Sequence, residues 1–264
     1  MINSNSGMGI PMTPEQYAKH WGENAEHFNN NGYYEWMCSQ VNTSGRILEI
    51  GCGTGFSTFS LIRSGSKKIF VIESNMSLVN SAKSFLEGNN IPVHVHTICD
   101  RNYLSSPNCP VEIIVGNLFE DRVQKIIESL EIDCILCWLI GTDPGTIANS
   151  MKKTIDALDR NDIAEYRLNV HRECYLIGSR LLSPDGVINF IDRCSISDPD
   201  HMDDAIKSFS EQHEKLSEYS FKTINAKFKL LSEFFETSAL QYSAQSAVPK
   251  VNPILSSVVL KRQG

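Results

Sequence analysis

A carboxylate, three alternate glycines and a second carboxylate are the residues of this chain whose types and spacing suggest chemistry. Arg46-Ile47-Leu48-Glu49-Ile50 is an apolar run carrying one acid, and it passes directly into Gly51-Cys52-Gly53-Thr54-Gly55. Glycine at every second position removes the side chains that would hold a ligand off the backbone, and it permits positive φ in a turn. Phe56 to Arg63 then reads as a short helix that stops at Gly65. Strand, loop and helix start together predict a cradle of free backbone N–H groups for a polar ligand. Glu49 lies just before the loop, where it can accept hydrogen bonds from a ligand amine or from loop N–H groups. Lys68 to Ile72 reads as the next strand and ends in Glu73-Ser74-Asn75. A carboxylate at that strand end is placed to hold both hydroxyls of a ribose.

A dinucleotide fingerprint would have G-x-G-x-x-G, with an acid about twenty positions on. Here the spacing is G-x-G-x-G, and Phe56 stands where the third fingerprint glycine belongs. A glycine turn with a purely structural role is the other alternative. The string E-I-G-C-G-T-G resembles the first motif of class I S-adenosylmethionine-dependent methyltransferases. Two later stretches resemble the same family: Asp133 to Trp138, read as D-x-x-x-C-W at the end of the fourth strand, and Arg180-Leu181-Leu182-Ser183-Pro184-Asp185-Gly186. The second matches the R-L-L-x-P-G-G turn before the fifth strand, with Asp185 replacing a glycine. The resemblance runs from Arg46 to Lys261, less clearly over 89–110.

The resemblance implies S-adenosylmethionine as cofactor and direct transfer of its methyl group to an O or N nucleophile of a small molecule. Glu49 would orient the methionine end, with Gly51, Gly53 and Gly55 giving close backbone approach and Cys52 also among the cofactor-binding residues. Glu73 and Ser74 would hold the ribose, and Asn117 and Leu118 would surround adenine, with Asp100 as the alternative to Asn117. Cys137 and Trp138 would face cofactor and acceptor, and Tyr17 and Trp21 would close from above. An aromatic face near a sulfonium is electrostatically favourable. The segment after Trp138 lacks the Pro-Pro-Tyr or Pro-Pro-Trp signature for methylating exocyclic amines of DNA bases. If the acceptor must lose a proton, His20 and His171 are candidates. His171 sits on an apolar helix side and reads better as a core histidine, so no catalytic base is assigned. A protein or peptide methyltransferase, a nicotinamide-dependent oxidoreductase using the same cradle, and a binding module without chemistry remain alternatives.

The elements that must position these residues are readable in order. Residues 1 to 12 read as disordered; Thr13-Pro14-Glu15-Gln16 is then a capping box with proline at the first helical position. Tyr17, Trp21, Asn24 and Phe28 share one face of the following helix, and Met12 can pack on Tyr17. This makes 1–45 an N-terminal helical lid on a methyltransferase domain over 46–264. A second helix covers Tyr33 to Val41. Asn75 caps a helix with Leu78, Val79, Ala82, Phe85 and Leu86 on its apolar face, ended by Gly88. Val93 to Ile98 alternates as a strand with His94 and His96 on one solvated face, and Val111 to Val115 is a further strand. Ile132 to Leu139 is near-continuously apolar, as central parallel strands are. Helical caps are expected near 142–160 and 198–220. Ala164 to Leu182 is one long helix, and Ile224, Phe228, Leu231 and Phe235 mark a last one before strands at 237–242 and 255–261. Alternating strand and helix predict a doubly wound α/β fold. The resemblance makes it a Rossmann-like, seven-stranded, mostly parallel sheet with an antiparallel last strand.

Composition bounds the partners. The chain has 264 residues, 41% hydrophobic and 21% charged, ordinary for a globular protein. A net charge of −7 argues against a broad nucleic-acid footprint. Neither a secretory signal nor a membrane span is visible, so a cytoplasmic location is expected. The eight cysteines fall mostly in apolar runs, as reduced core thiols do. Cys134 and Cys137 form a C-x-x-C without a matching second pair, so no metal site is expected.

Overall fold

The computed structural model describes residues 12–97, 103, 105–106, 108–196, 202–231 and 252–263. Asp100, residues 1–11 and the strand expected at 237–242 lie outside the described residues. The strands are β1 (Arg46–Ile50), β2 (Lys68–Glu73), β3 (Val93–His96), β4 (Val111–Val115), β5 (Cys134–Trp138), β6 (Val187–Ile196), β7 (Phe221–Leu230) and β8 (Asn252–Arg262). They form one sheet in the order β3-β4-β2-β1-β5-β6-β8-β7. Pairing is parallel from β3 across to β6, and β8 runs antiparallel to both β6 and β7. The doubly wound architecture is as expected, with the last strand inserted against the grain. It holds eight strands where seven were anticipated, because β3 adds a further parallel strand at the edge beside β4.

The helices are α1 (Pro14–Asn30), α2 (Tyr33–Cys38), α3 (Phe56–Arg63), α4 (Met76–Gly88), α5 (Asp121–Ile127), α6 (Pro144–Met151), α7 (Arg160–Leu181) and α8 (Met202–Leu216). Period-two alternation splits the strand side chains between two cores. Leu48, Ile50, Phe70, Ile72, Ile135 and Cys137 pack under α5 and α7. Ile47, Ile69, Val71, Cys134, Leu136 and Trp138 pack under α1 to α4. Strands apolar on both faces require such double cover. The capping box at α1 is formed, with Gln16 N donating to Thr13 Oγ1 at 3.2 Å and Thr13 N donating to Gln16 Oε1 at 2.9 Å. Met12 and Trp21 pack on the small cluster of Tyr17, Ala18 and Leu78, tying α1 to α4.

Two expectations need correction. Ile224 and Phe228 belong to strand β7 and not to a helix. Residues four apart share a face in either structure, and the ladder offered by β8 decides the matter. Ile224 falls at the register shift between Thr223 and Asn225 and is exposed, while Phe228 meets Phe209 of α8 edge-on at 5.5 Å. The second correction concerns His96. It is buried, not solvated, and its Nε2 lies 2.9 Å from a Glu112 oxygen across the β3–β4 pair.

Candidate functional site

The carboxyl ends of the central parallel strands meet at one rim, and the loop after β1 shapes it. Gly53 has φ of +52°, and a Cβ there would stand 2.1 Å from Nε1 of Trp21. Close approach at this point is therefore made by the indole of α1, which lies over the loop backbone. Gly55, at φ +92°, opens α3, and a Cβ there would stand 3.1 Å from Cα of Ala82 in α4, so its absence lets the loop pack against that helix. Both positions demand glycine for conformation and for space.

Three adjoining cavities run along this rim. The largest, about 160 Å³, is walled by Tyr17, Trp21, Ile147, Ile163 and Tyr166, with Arg167 and Arg193 also facing it. A second, about 30 Å³, lies between Gly51, Glu73, Ser74, Asn117, Leu118 and the segment Ile140 to Thr142. The third, about 20 Å³, joins them beneath Tyr17 and Trp21, against Gly51, Gly53, Glu73 and Trp138. Ligands of open α/β sheets bind in this crevice at the strand ends.

Glu73 borders both smaller cavities. Burial lifts its pKa to about 7, opposed by backbone N–H groups of Asn75, Gly53 and Ser74. Asn75 N donates to its Oε1 at 2.9 Å. No cation or hydroxyl partner of this carboxylate is present among the described residues. A pair of ligand hydroxyls would supply the donors that a buried carboxylate lacks. Glu49 is placed differently. Ser57 Oγ and Thr58 Oγ1, both on α3, donate to its two oxygens at 2.5 and 2.7 Å. Burial raises its pKa to about 7 against these two bonds. The side chain lies under the loop, outside the lining of the three cavities.

Of the residues marked in the sequence, the structure gathers Tyr17, Trp21, Gly51, Gly53, Glu73, Ser74, Asn117, Leu118 and Trp138 around the cavities. Glu49, Cys52, Gly55 and Cys137 are buried behind them or shape the backbone. Trp138 is pinned by its indole N–H, which donates to Asn189 Oδ1 at 2.7 Å. Asn117 Oδ1 accepts from Phe119 N at 3.1 Å, turning the chain toward α5. Sequence reasoning missed Ile140, Gly141, Thr142, Tyr166, Arg167 and Arg193. The first three follow a central strand, a position that could have marked them. The last three come from α7 and β6, and only the tertiary fold brings them to the rim.

Behind Arg167 lies a charged cluster. Its Nη2 donates to Asp192 Oδ1 at 2.6 Å, and His171 Nε2 stands 3.7 Å from Oδ2. His171, Asp192 and His213 offer ligand atoms within 4.8 Å of one another. The guanidinium already on Asp192 repels a dication, and His213 Nδ1 is taken up by the Tyr175 hydroxyl at 2.9 Å. Asp192 holds the Arg167 guanidinium in place. No described helix is long and apolar enough to cross a membrane.

No known family profile matches the chain. Over 115 residues the sequence is 27% identical to a ribosomal protein L11 methyltransferase from Cyanothece sp. (strain PCC 7425 / ATCC 29141), covering 43% of this chain. The chain spans 38% of the length of that curated relative. Among solved structures, a TehB-like SAM-dependent methyltransferase from Corynebacterium glutamicum ATCC 13032 Kitasato is 14% identical, with a TM-score of 0.47 over 94% of this chain and 98% of that one. A ribosomal protein L11 methylase from Lactobacillus delbrueckii subsp. bulgaricus is 12% identical, with a TM-score of 0.42 over 83% of this chain and 70% of that one. In the order of its motifs and the closing of its sheet, the chain resembles the class I S-adenosylmethionine-dependent methyltransferases.

Proposed function

We propose that the chain is an S-adenosylmethionine-dependent methyltransferase whose acceptor is a small molecule with an O or N nucleophile. The observation that carries this reading is Glu73: a buried carboxylate at the end of β2, bordering two cavities beside the glycine loop. On this reading Glu73 accepts the ribose hydroxyls, and Asn117 and Leu118 flank the base. Gly51 and Gly53 run beneath the tail, with Glu49 holding their loop through α3. The bound sulfonium supplies an already activated methyl group. The chain's own part is to orient the acceptor, exclude water and take any proton released. Tyr17 and Trp21 cover the rim, and the largest cavity opens from the same two rings, so it is read as the acceptor space. The lid at 1–45 and a cap near 142–160 fit that reading, since α6 contributes Ile147 to the wall.

Calorimetry with S-adenosylhomocysteine against NAD tests the reading. Binding of the sulfur nucleoside alone, weakened in a Glu73→Ala protein, is expected. Preference for NAD would turn the reading toward hydride transfer. A protein acceptor is a second reading, favoured by the match to an L11 methyltransferase. Methyl incorporation into a ribosomal protein extract, with none into small metabolites, would favour it.

A further inference from the structure

Arg193 lies near the end of β6, beside Leu255 of β8, and faces the largest cavity. Its Nη1 is buried and has no hydrogen-bond partner, and no described carboxylate forms an ion pair with it. Ring faces lie against the charge: Trp21 at 5.8 Å and Phe28 at 5.5 Å from its Cζ. Burial lowers its pKa to about 10, so the group is still cationic at neutral pH.

Two other partly buried cations are treated differently. Lys68 is paired with Glu112, and Arg167 with Asp192. Asp143, next to the cavity wall, is engaged by Thr146 N at 3.0 Å and Thr146 Oγ1 at 2.8 Å. A guanidinium with a buried nitrogen that meets no acceptor carries an uncompensated desolvation penalty until a partner arrives. Its planar fork matches a carboxylate in a bidentate way, and the walls beside it are aromatic and aliphatic.

We propose that Arg193 determines acceptor specificity by binding a carboxylate, and that the acceptor is a small carboxylic acid with an apolar or aromatic body. The inference rests on the methyltransferase reading for the word acceptor, whereas the binding step rests on the cavity alone. Trp21, Tyr17 and Tyr166 receive the body of the acid, and Arg193 fixes the end from which its nucleophile is presented.

The probes are benzoate and benzamide, equal in shape and different in charge, titrated into the full chain by calorimetry. Titrations are run with and without saturating S-adenosylhomocysteine. Benzoate is expected to bind about tenfold tighter than benzamide in either condition, as a charge-assisted bidentate pair should. Failure of the nucleoside to bind overturns the methyltransferase reading and leaves the benzoate comparison intact. Equal affinity for the two probes, or no benzoate binding at all, overturns the present inference. In Arg193→Met the preference is expected to vanish, and an unchanged preference overturns it too. Should that variant not fold, Arg193→Lys, which lacks the fork, is expected to weaken benzoate about threefold or more without changing benzamide. Unchanged benzoate affinity there is the overturning result.

Discussion

Glu73 and Glu112 are buried carboxylates on neighbouring strands, and their surroundings drive their protons in opposite directions. Glu112 accepts from Ser105 Oγ at 2.7 Å, Ser106 N at 2.9 Å and Tyr103 OH at 2.9 Å, and it contacts Lys68 and His96. Burial alone would raise its pKa, but Lys68, Ser105, His96 and Tyr103 together bring it down to about 2. Glu73 is also buried, with backbone N–H donors and no cation among the described residues, and burial wins, at about 7. The difference separates a carboxylate given cation and hydroxyl partners by the fold from one that has only backbone donors among the described residues. Glu112 ties the β3 edge to the sheet; Glu73 borders two cavities. Strongly perturbed carboxylates gather at functional sites, but the direction and the missing partner distinguish the two cases.

Removing a partner from the satisfied side should have the largest effect. Lys68→Met leaves Glu112 charged and buried, and a loss of about 3–5 kcal/mol is expected, read as a fall in the urea midpoint. Glu112→Gln in the same background should recover part of it. On the site side, Glu73→Gln should weaken S-adenosylhomocysteine by about 1.5–3 kcal/mol, the value of hydrogen bonds to a charged group, as measured by calorimetry. Stability of this variant at neutral pH should be unchanged or higher, since a buried charge without a cation has been removed. If instead it unfolds the protein, the contrast with Glu112 collapses.

The third test is pH. For Glu73 and Glu49 the folded pKa of about 7 lies above the ordinary 4.5, so the native state holds more protons between those values. Their contribution is full below pH 4.5 and is lost as pH rises toward 7. Glu112, at about 2, contributes fully above 4.5, and that contribution is lost as pH falls toward 2. Urea unfolding from pH 2 to 8 should show Glu73→Gln and Glu49→Gln flattening the upper limb and Glu112→Gln the lower. The smallest effect is expected for Thr58→Ala, which removes one donor from Glu49. About 1 kcal/mol should be lost above pH 7, where that carboxylate is ionised, and less near pH 5.

Much of the site was legible because its signals are local. The passage from β1 into alternating glycines needs only backbone geometry, and Glu73 was marked by its place at the next strand end. The role of Gly53 was only half visible. The sequence asks for close approach there, but that Trp21 makes the approach depends on how α1 docks. Helix and strand at Ile224 and Phe228 could not be told apart locally, since β8 arrives from far along the chain. His96 was read as solvated because its partner Glu112 lies sixteen positions on, across a parallel pair. Arg193 carries no local mark at all.

What the amino-acid order determined by itself was therefore the set of short-range choices: the continuous apolar runs of β1, β2 and β5, the Thr13 cap, and glycine where only glycine can turn. Charge balance was decided by tertiary structure alone. Whether a buried Glu or Arg meets a partner depends on side chains tens to hundreds of residues away, and the electrostatic energy of a group in a low-dielectric interior is set by those neighbours and not by its own position in the chain.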